Sequence, residues 1–344
     1  MGGYCAQPPR LPPTHPPSSV LPEMAVYTEV DDDALEAFLA EYDVGELTSY
    51  KGIAEGVENS NYYLETDRGR FILTLYEKRV SPHDLPFFIG LMEHLAARGI
   101  PSPTPVRGRD GQALRQLCGR PAAIVTFLIG VWQRKVRIEH CAPLGEALAR
   151  LHEAGRDYER HRPNNLSLAG WRPLFEKCAP RAHEVQAGLA GEIEAEVAFL
   201  EKNWPSALPA GVIHADLFPD NVFFLGDKVS GLIDFYFACN DFLAYDVAVC
   251  VNAWCFESDG SYNVTKARAL IGAYRKARAL SAEEGKALRI LLRGGALRFL
   301  LTRLHDWIFR ADGALVTPHN PLEYYRKLRF LQGVKRPGEL GIAA

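Results

Sequence analysis

The sequence predicts an α+β chain in two lobes, an antiparallel sheet lobe first and a mostly helical lobe second. Three observations predict it. Strand-like runs joined by glycine-containing turns fill the stretch from Leu47 to Glu77. Amphipathic helical segments dominate from about residue 137 onward. One strand-like island, residues 221–235, interrupts those helices. The expected division is an extension at 1–23, a first lobe with its linker at 24–130, a second lobe at 131–335 and a tail at 336–344.

The extension "MGGYCAQPPRLPPTHPPSSVLPE" is Pro-rich and lacks the apolar centre of a secretion signal, so disorder is expected and Met24 reads as the natural start. "DDDALEAFLAEYDVG" then reads as a first helix. Asp31, Asp32 and Asp33 suit its N-terminus, Leu35, Phe38 and Leu39 form its apolar stripe, and Gly45 marks its end. "YYLET" and "RFILTLY" flank a tight "DRG" turn and predict a hairpin. "SPHDLPFFIGLMEHLAARGI" reads as a second helix closed by Gly99, and "PSPTPV" and "PAAIVTFLIG" as further strands. "HCAPLGEALARLHEAG" carries Leu144, Leu148 and Leu151 on one face, and more helices are expected near 190–202, 264–279, 282–311 and 320–332.

Bulk composition excludes several classes. The formal net charge of -3 gives no electrostatic basis for nucleic-acid binding. No apolar run approaches the ~20 residues of a membrane span. The 7 cysteines form no C-x-x-C pair, which fits a reduced, cytoplasmic chain without zinc site or disulfide framework.

The chemistry is concentrated in "GVIHADLFPDNVFF", residues 211–224. The island that follows reads as strand "NVFFL", turn "GDK" and strand "VSGLIDF". Asn221 and Asp234 are equidistant from the Asp227–Lys228 midpoint, so an antiparallel hairpin would set them opposite one another. An amide oxygen and a carboxylate there suit Mg²⁺, a hard ion that takes oxygen ligands. Asp216 precedes Asn221 by five residues, with Pro219 bending the loop between them. Its carboxylate can accept a hydroxyl proton beside a metal-bound phosphate, and His214 would support the loop. Singly, these residues also suit an Asx-turn, a core histidine and a helix cap. Their ordered combination favours metal-dependent phosphoryl transfer.

In that order the parts resemble the aminoglycoside-phosphotransferase and choline-kinase superfamily, relatives of protein kinases. Protein kinases carry H-R-D-x-x-x-x-N followed by D-F-G; this chain has "HADLFPDN" and "IDFYF", without the glycine. "LGEALARLH" looks like the superfamily's helix before the catalytic loop. The resemblance implies a two-lobed, protein-kinase-like fold with ATP in the cleft. It makes "YKGIAEGVENSNYYL" the loop over the phosphates, with Gly52 and Gly56 freeing the backbone and Asn59, Ser60 and Asn61 offering polar groups. It places the backbone of Thr126, Phe127 and Leu128 against adenine and makes Asp246 an anchor of the catalytic loop.

One departure stands out. The superfamily's third strand usually carries a Lys on the α/β-phosphates, where "FILTLYE" has Thr74. A cation ~4 Å from a phosphate charge is worth about 4 kcal/mol at an effective dielectric of ~20. Lys78 or Arg79 could reach in, and Glu93 would be the missing Lys's partner by resemblance. Thr74, "IDFYFACNDFLAYDVAVCVNAWCF" and "LRFLLTRLHDW" together look like the homoserine-kinase branch, implying ATP and L-homoserine as substrates in a step toward threonine. A zwitterion needs a cation for its carboxylate, for which Arg298 and Arg303 are candidates, the latter with Asp306 as an alternative partner. Asn240, Asp241, Asn252 and Trp254 are further pocket candidates. Two rival readings stay open: a kinase of this fold acting on choline, an aminoglycoside or another sugar or amino alcohol, and a catalytically dead kinase-like binding protein.

Overall fold

A computed structural model describes residues 28–53, 59–77, 80–310 and 318–342. The Pro-rich extension, the centre of the expected phosphate loop with Gly56, and Lys78 and Arg79 lie outside the described residues.

Asp31 opens helix α1 (Asp32–Leu39) by accepting a hydrogen bond from the Ala34 N–H at 2.7 Å. The helix is shorter than the sequence predicts: it stops at Leu39, not at Gly45. The sheet beneath it comprises β1 (Leu47–Ile53), β2 (Asn59–Thr66), β3 (Gly69–Tyr76), β4 (Arg115–Leu117) and β5 (Arg120–Thr126). Its order is β1-β2-β3-β5-β4, antiparallel throughout. The expected hairpin is present, with Thr66 paired to Gly69 across the turn. Side chains alternate between faces. Tyr62, Leu64, Leu73 and Leu75 join the Leu35 and Phe38 core, while Asn61 and Thr74, paired across β2 and β3, lie on the opposite face. "PSPTPV" does not form a strand of its own; it makes one isolated bridge, Pro105 to Val125, because proline cannot donate to a ladder.

Between β3 and β4 runs α2 (Leu85–Ala97), whose Leu91, Met92 and Leu95 enter the large second core. After β5 the chain forms β6 (Val131–Trp132), α3 (Ile138–Ala154), α4 (Leu168–Cys178), α5 (Leu189–Asn203) and β7 (Ala210–Ile213). There follow the hairpin β8 (Val222–Leu225) and β9 (Lys228–Leu232), then β10 (Cys239–Phe242), α6 (Leu243–Trp254), α7 (Val264–Ala277), α8 (Ala282–Ile308) and α9 (Pro321–Gly333). The fold is therefore α+β, sheet first and helices after, as predicted. Helices α4 and α6 were not expected. The first buries Trp171, Phe175 and Cys178 on one face, a stripe interrupted in sequence by Gly170 and Pro173, and the second is buried on nearly every side and shows no stripe. Among the described residues no helix is long and apolar enough to cross a membrane.

Helices α3 and α7 approach closely at Gly145, where a Cβ would stand 2.1 Å from the Leu270 carbonyl oxygen. That approach brings His152 of α3 within 2.8 Å of the Tyr274 hydroxyl on α7.

Candidate active site

Strand β7 delivers His214, Ala215 and Asp216 into a turn with unusual backbone. Ala215 has φ 63, a left-handed conformation that costs a residue with a Cβ and persists only where its surroundings fix it. Asp246, in the first turn of α6 and fully buried, supplies the fixing. Its Oδ2 accepts from the His214 N–H at 2.7 Å and lies 3.1 Å from His152 Nε2, while Oδ1 accepts from the Ala215 N–H at 2.8 Å. Burial alone would raise the Asp246 carboxyl. The hydrogen bonds from His152 and from the His214 N–H, with the electrostatic pull of the two neighbouring imidazoles, outweigh it and hold the group below the usual range.

His214 behaves differently. Complete burial pushes its imidazole down to about 4, so the ring is neutral at ordinary pH. A neutral ring whose Nε2–H donates to the Ile233 carbonyl at 2.9 Å can accept the Asp216 N–H on Nδ1 at 3.3 Å. One neutral histidine thus ties the Asp216 turn to the strand end preceding Asp234. The Trp254 indole N–H donates to the Leu217 carbonyl at 2.7 Å and braces the turn from below.

Asn221 ends a 3₁₀ turn, Pro219–Asn221. Its Nδ2 donates to the Asp216 carbonyl at 2.8 Å and lies 3.3 Å from the Asp216 carboxylate. That leaves the amide oxygen as its outward donor. The hairpin register differs by one residue from the expected one. Val222 pairs with Leu232, and a bulge falls between Phe223 and Phe224, so Asn221 faces Ile233. Asp234 follows, turned by its own left-handed backbone (φ 63, ψ 63). An amide oxygen and a carboxylate on adjacent turns are a hard donor pair, and they fit a Mg²⁺ that draws its remaining ligands from phosphate and water.

On the nucleotide side, the structure separates residues that the sequence grouped. Asn61 and Thr74 share a face, with the Thr74 hydroxyl donating to Asn61 Oδ1 at 2.8 Å. Ser60 is fully buried and donates to Glu77 at 2.8 Å, and Asn59 Oδ1 accepts the Glu77 N–H at 3.3 Å. Tyr236, standing where protein kinases have the D-F-G glycine, has the Thr74 side chain beside its hydroxyl and lies 3.3 Å from the Tyr76 hydroxyl. Sequence reasoning missed Tyr236, although the "IDFYF" departure was its signal. Glu93 is paired with Arg107 at 2.7 Å, away from Thr74's network. In the linker, Thr126 N–H donates to Thr104 at 3.0 Å and Phe127 N–H to Arg70 at 3.2 Å. Leu128 packs toward Gly231.

The candidates for the acceptor side fall in three places. Asn240 accepts the Arg162 N–H at 2.9 Å and Asp241 accepts from Asn164 at 2.8 Å, so both clamp the segment after α3. Asn252 and Trp254 are fully buried, Asn252 donating to the Leu292 carbonyl at 2.8 Å. Arg298 is buried against the Asp216 turn itself. Arg303 pairs with Glu323 of α9 at 2.6 Å and lies 4.5 Å over the Tyr324 ring; the partner expected from helical spacing, Asp306, is replaced by one from the neighbouring helix. Glu323, flanked by Lys327 at 2.8 Å as well, is held down to about 2: burial opposes this, and the two cations prevail. Glu323, Tyr324 and Lys327 gave no motif signal in the sequence.

Comparison with known proteins agrees with this geometry. The model of the phosphotransferase enzyme family matches residues 49–280. The chain is 63% identical over 325 residues to a homoserine kinase of Paramagnetospirillum magneticum, covering 93% of this chain and 100% of that one. It is 62% identical over 320 residues to a homoserine kinase of Rhodospirillum rubrum, with the same coverage of 93% and 100%. Among solved structures, amicoumacin kinase superposes with a TM-score of 0.67 at 12% identity over 88% of this chain and 93% of that one. Choline kinase from Cryptosporidium parvum superposes at 0.65 and 14% identity over 88% and 95%. These two establish the protein-kinase-like architecture.

Proposed function

We propose a division of labour within this site from the premise that the chain belongs to the phosphotransferase enzyme family, among its homoserine kinases. Its reaction is the ATP-dependent phosphorylation of the side-chain hydroxyl of L-homoserine, a step of threonine biosynthesis.

Asp216 is the residue we assign to the acceptor. Its carboxylate receives the hydroxyl hydrogen bond, aims the oxygen at the γ-phosphorus and takes the proton as the new O–P bond forms and the β–γ bridge breaks. Asn221, whose amide nitrogen is spent on Asp216, and Asp234 are the residues that would hold Mg²⁺. The ion would supply charge neutralisation on the phosphates. Asn61 and Thr74 face the cleft and are assigned to the nucleotide, with Leu128 in the linker meeting adenine. Arg303 uses one guanidinium nitrogen on Glu323 and presents the remainder over Tyr324, which suits a substrate carboxylate. Six free cysteines among the described residues, five of them buried, accord with a cytoplasmic setting.

The observation that carries this reading is the Asp216–Asn221 contact on a turn locked by Asp246. It supports reading Asp216 as a base and Asn221 as a metal ligand on one rigid support. ATP consumption by the purified chain with Mg²⁺ tests it, offering L-homoserine beside L-serine, L-threonine, choline and kanamycin. Turnover should prefer L-homoserine. Asp216→Ala should lower kcat by about 10²–10⁴-fold while sparing ATP binding. Near-normal turnover in that variant would remove Asp216 from the chemistry.

A further inference from the structure

Arg298 is the largest charged side chain of the interior, 2% exposed on the middle of α8. Two features show what it does there. Its Nη1 donates to the carbonyl of Ala215, the left-handed residue of the catalytic turn. Its Nη2 stands 4.0 Å from Asp216 Oδ1. The guanidinium is flanked by Phe299, whose ring centre is 4.5 Å away, and by Phe237 at 5.4 Å. Its Nε makes no hydrogen bond among the described residues.

This placement does not suit the carboxylate of the substrate. One arm of the fork is committed to a backbone carbonyl, and the rings cover the planar faces.

We propose that Arg298 is a positioning residue of phosphoryl transfer, fixing the strained Ala215 turn through its carbonyl and setting a buried positive charge behind the Asp216 carboxylate. The two tasks reinforce each other. Asp246 grips the N–H groups of His214 and Ala215, and Arg298 grips the carbonyl that follows. The turn is held at donors and acceptor alike, so the Asp216 side chain projects in one direction. A buried guanidinium also requires a nearby anion, and Asp216 supplies it. Binding energy is thereby absent from the ground state of the substrate and present in the orientation of the base. Removal of Arg298 should therefore lower kcat and leave substrate affinity in place.

The inference rests on Asp216 as the group that receives the hydroxyl proton. Arg298→Met, Arg298→Lys and Asp216→Ala are to be measured together, each with its melting temperature and with kcat and KM for ATP and L-homoserine. The expected result is a kcat about 100-fold lower in Arg298→Met, the scale of a slightly misplaced catalytic group, with both KM values within about threefold of the parent. Arg298→Lys keeps the charge without the fork and should lose about tenfold. A rise of tenfold or more in KM for L-homoserine with kcat retained would overturn the inference and make Arg298 a carboxylate receptor. A lower melting temperature with kcat per folded molecule unchanged would also overturn it, leaving a purely structural arginine. If Arg298→Met does not fold, Arg298→Lys decides by the same criteria. An active Asp216→Ala would fault the underlying reading of the site; an inactive one beside unaffected Arg298 variants would fault this inference alone.

Discussion

The turn that carries Asp216 and the third strand of the sheet are built by opposite means. The turn is fixed by charge. Asp246 accepts two backbone N–H groups and contacts His152, Arg298 grips Ala215, and a neutral His214 links the turn to the strand before Asp234. The strand, where the resemblance leads one to expect a Lys, is fixed by two neutral pairs, Thr74 with Asn61 and Tyr76 with Tyr236. The difference has an energetic consequence. Removing one partner from a buried charge network leaves an uncompensated ion, which costs several kcal/mol. Removing one neutral hydroxyl costs about 1 kcal/mol. The turn and the strand should therefore differ severalfold in their sensitivity to substitution.

The sharpest way to break that contrast is Asp246→Asn. The amide keeps the shape of the side chain and loses the charge. Its nitrogen would also meet an N–H where a carboxylate oxygen now accepts. A loss of about 3–5 kcal/mol of stability is expected, together with a collapse of kcat. Urea unfolding monitored by fluorescence measures it. A change below about 1 kcal/mol would place Asp246 in the same class as the neutral strand.

Acid provides a second probe of the charged turn, smaller in effect. An unfolded imidazole titrates near 6.5, whereas that of His214 in the folded chain titrates at about 4. Between these values the unfolded chain binds a proton that the folded chain refuses, so acid favours unfolding. Stability should rise with pH across that window and level off above it, by about 3 kcal/mol in full. His214→Gln retains a donor toward the Ile233 carbonyl and cannot titrate, so the slope between pH 6.5 and 4 should shrink by that share. An unchanged slope in the variant would assign the acid sensitivity to other groups. The lowered carboxyls, Asp246 and Glu323, act in the same direction but at lower pH.

What the sequence revealed follows the same division between local and distant partners. His214, Asp216 and Asn221 lie within eight positions of one another, and that spacing is itself the signal. The hairpin that carries Asp234 was legible, but its register was not: the turn closes on Gly226 and Asp227, with Leu225 paired to Lys228, and the bulge between Phe223 and Phe224 recovers only part of that offset without a compositional mark. Helix α6, which carries Asp246, is buried on all sides and shows neither a stripe nor a side-chain cap bond. The partner of Arg303 was misjudged because helical spacing reveals only neighbours three or four residues away, and Glu323 comes from another helix. The partner of Arg298 is a backbone carbonyl 83 positions away, and no residue type encodes it.

The neutral strand yields the smallest effects and the finest test of the contrast. Thr74→Val removes the hydroxyl that bonds Asn61, and Tyr236→Phe removes the one that lies 3.3 Å from the Tyr76 hydroxyl. Each should cost about 1 kcal/mol, seen as an approximately fivefold weaker Kd for ATP or a comparable loss of stability. Because the two side chains adjoin one another, the double variant should lose less than the sum of the two. Calorimetric titration of ATP into the four proteins measures the coupling. Equal additive losses would mean that Thr74 and Tyr236 act independently. A loss near 100-fold in Thr74→Val alone would mean that Thr74 contacts the phosphates directly, and that the strand carries a task that charge performs elsewhere in the superfamily. Neither is expected, because the Thr74 hydroxyl is engaged by Asn61 and that of Tyr236 lies against Tyr76.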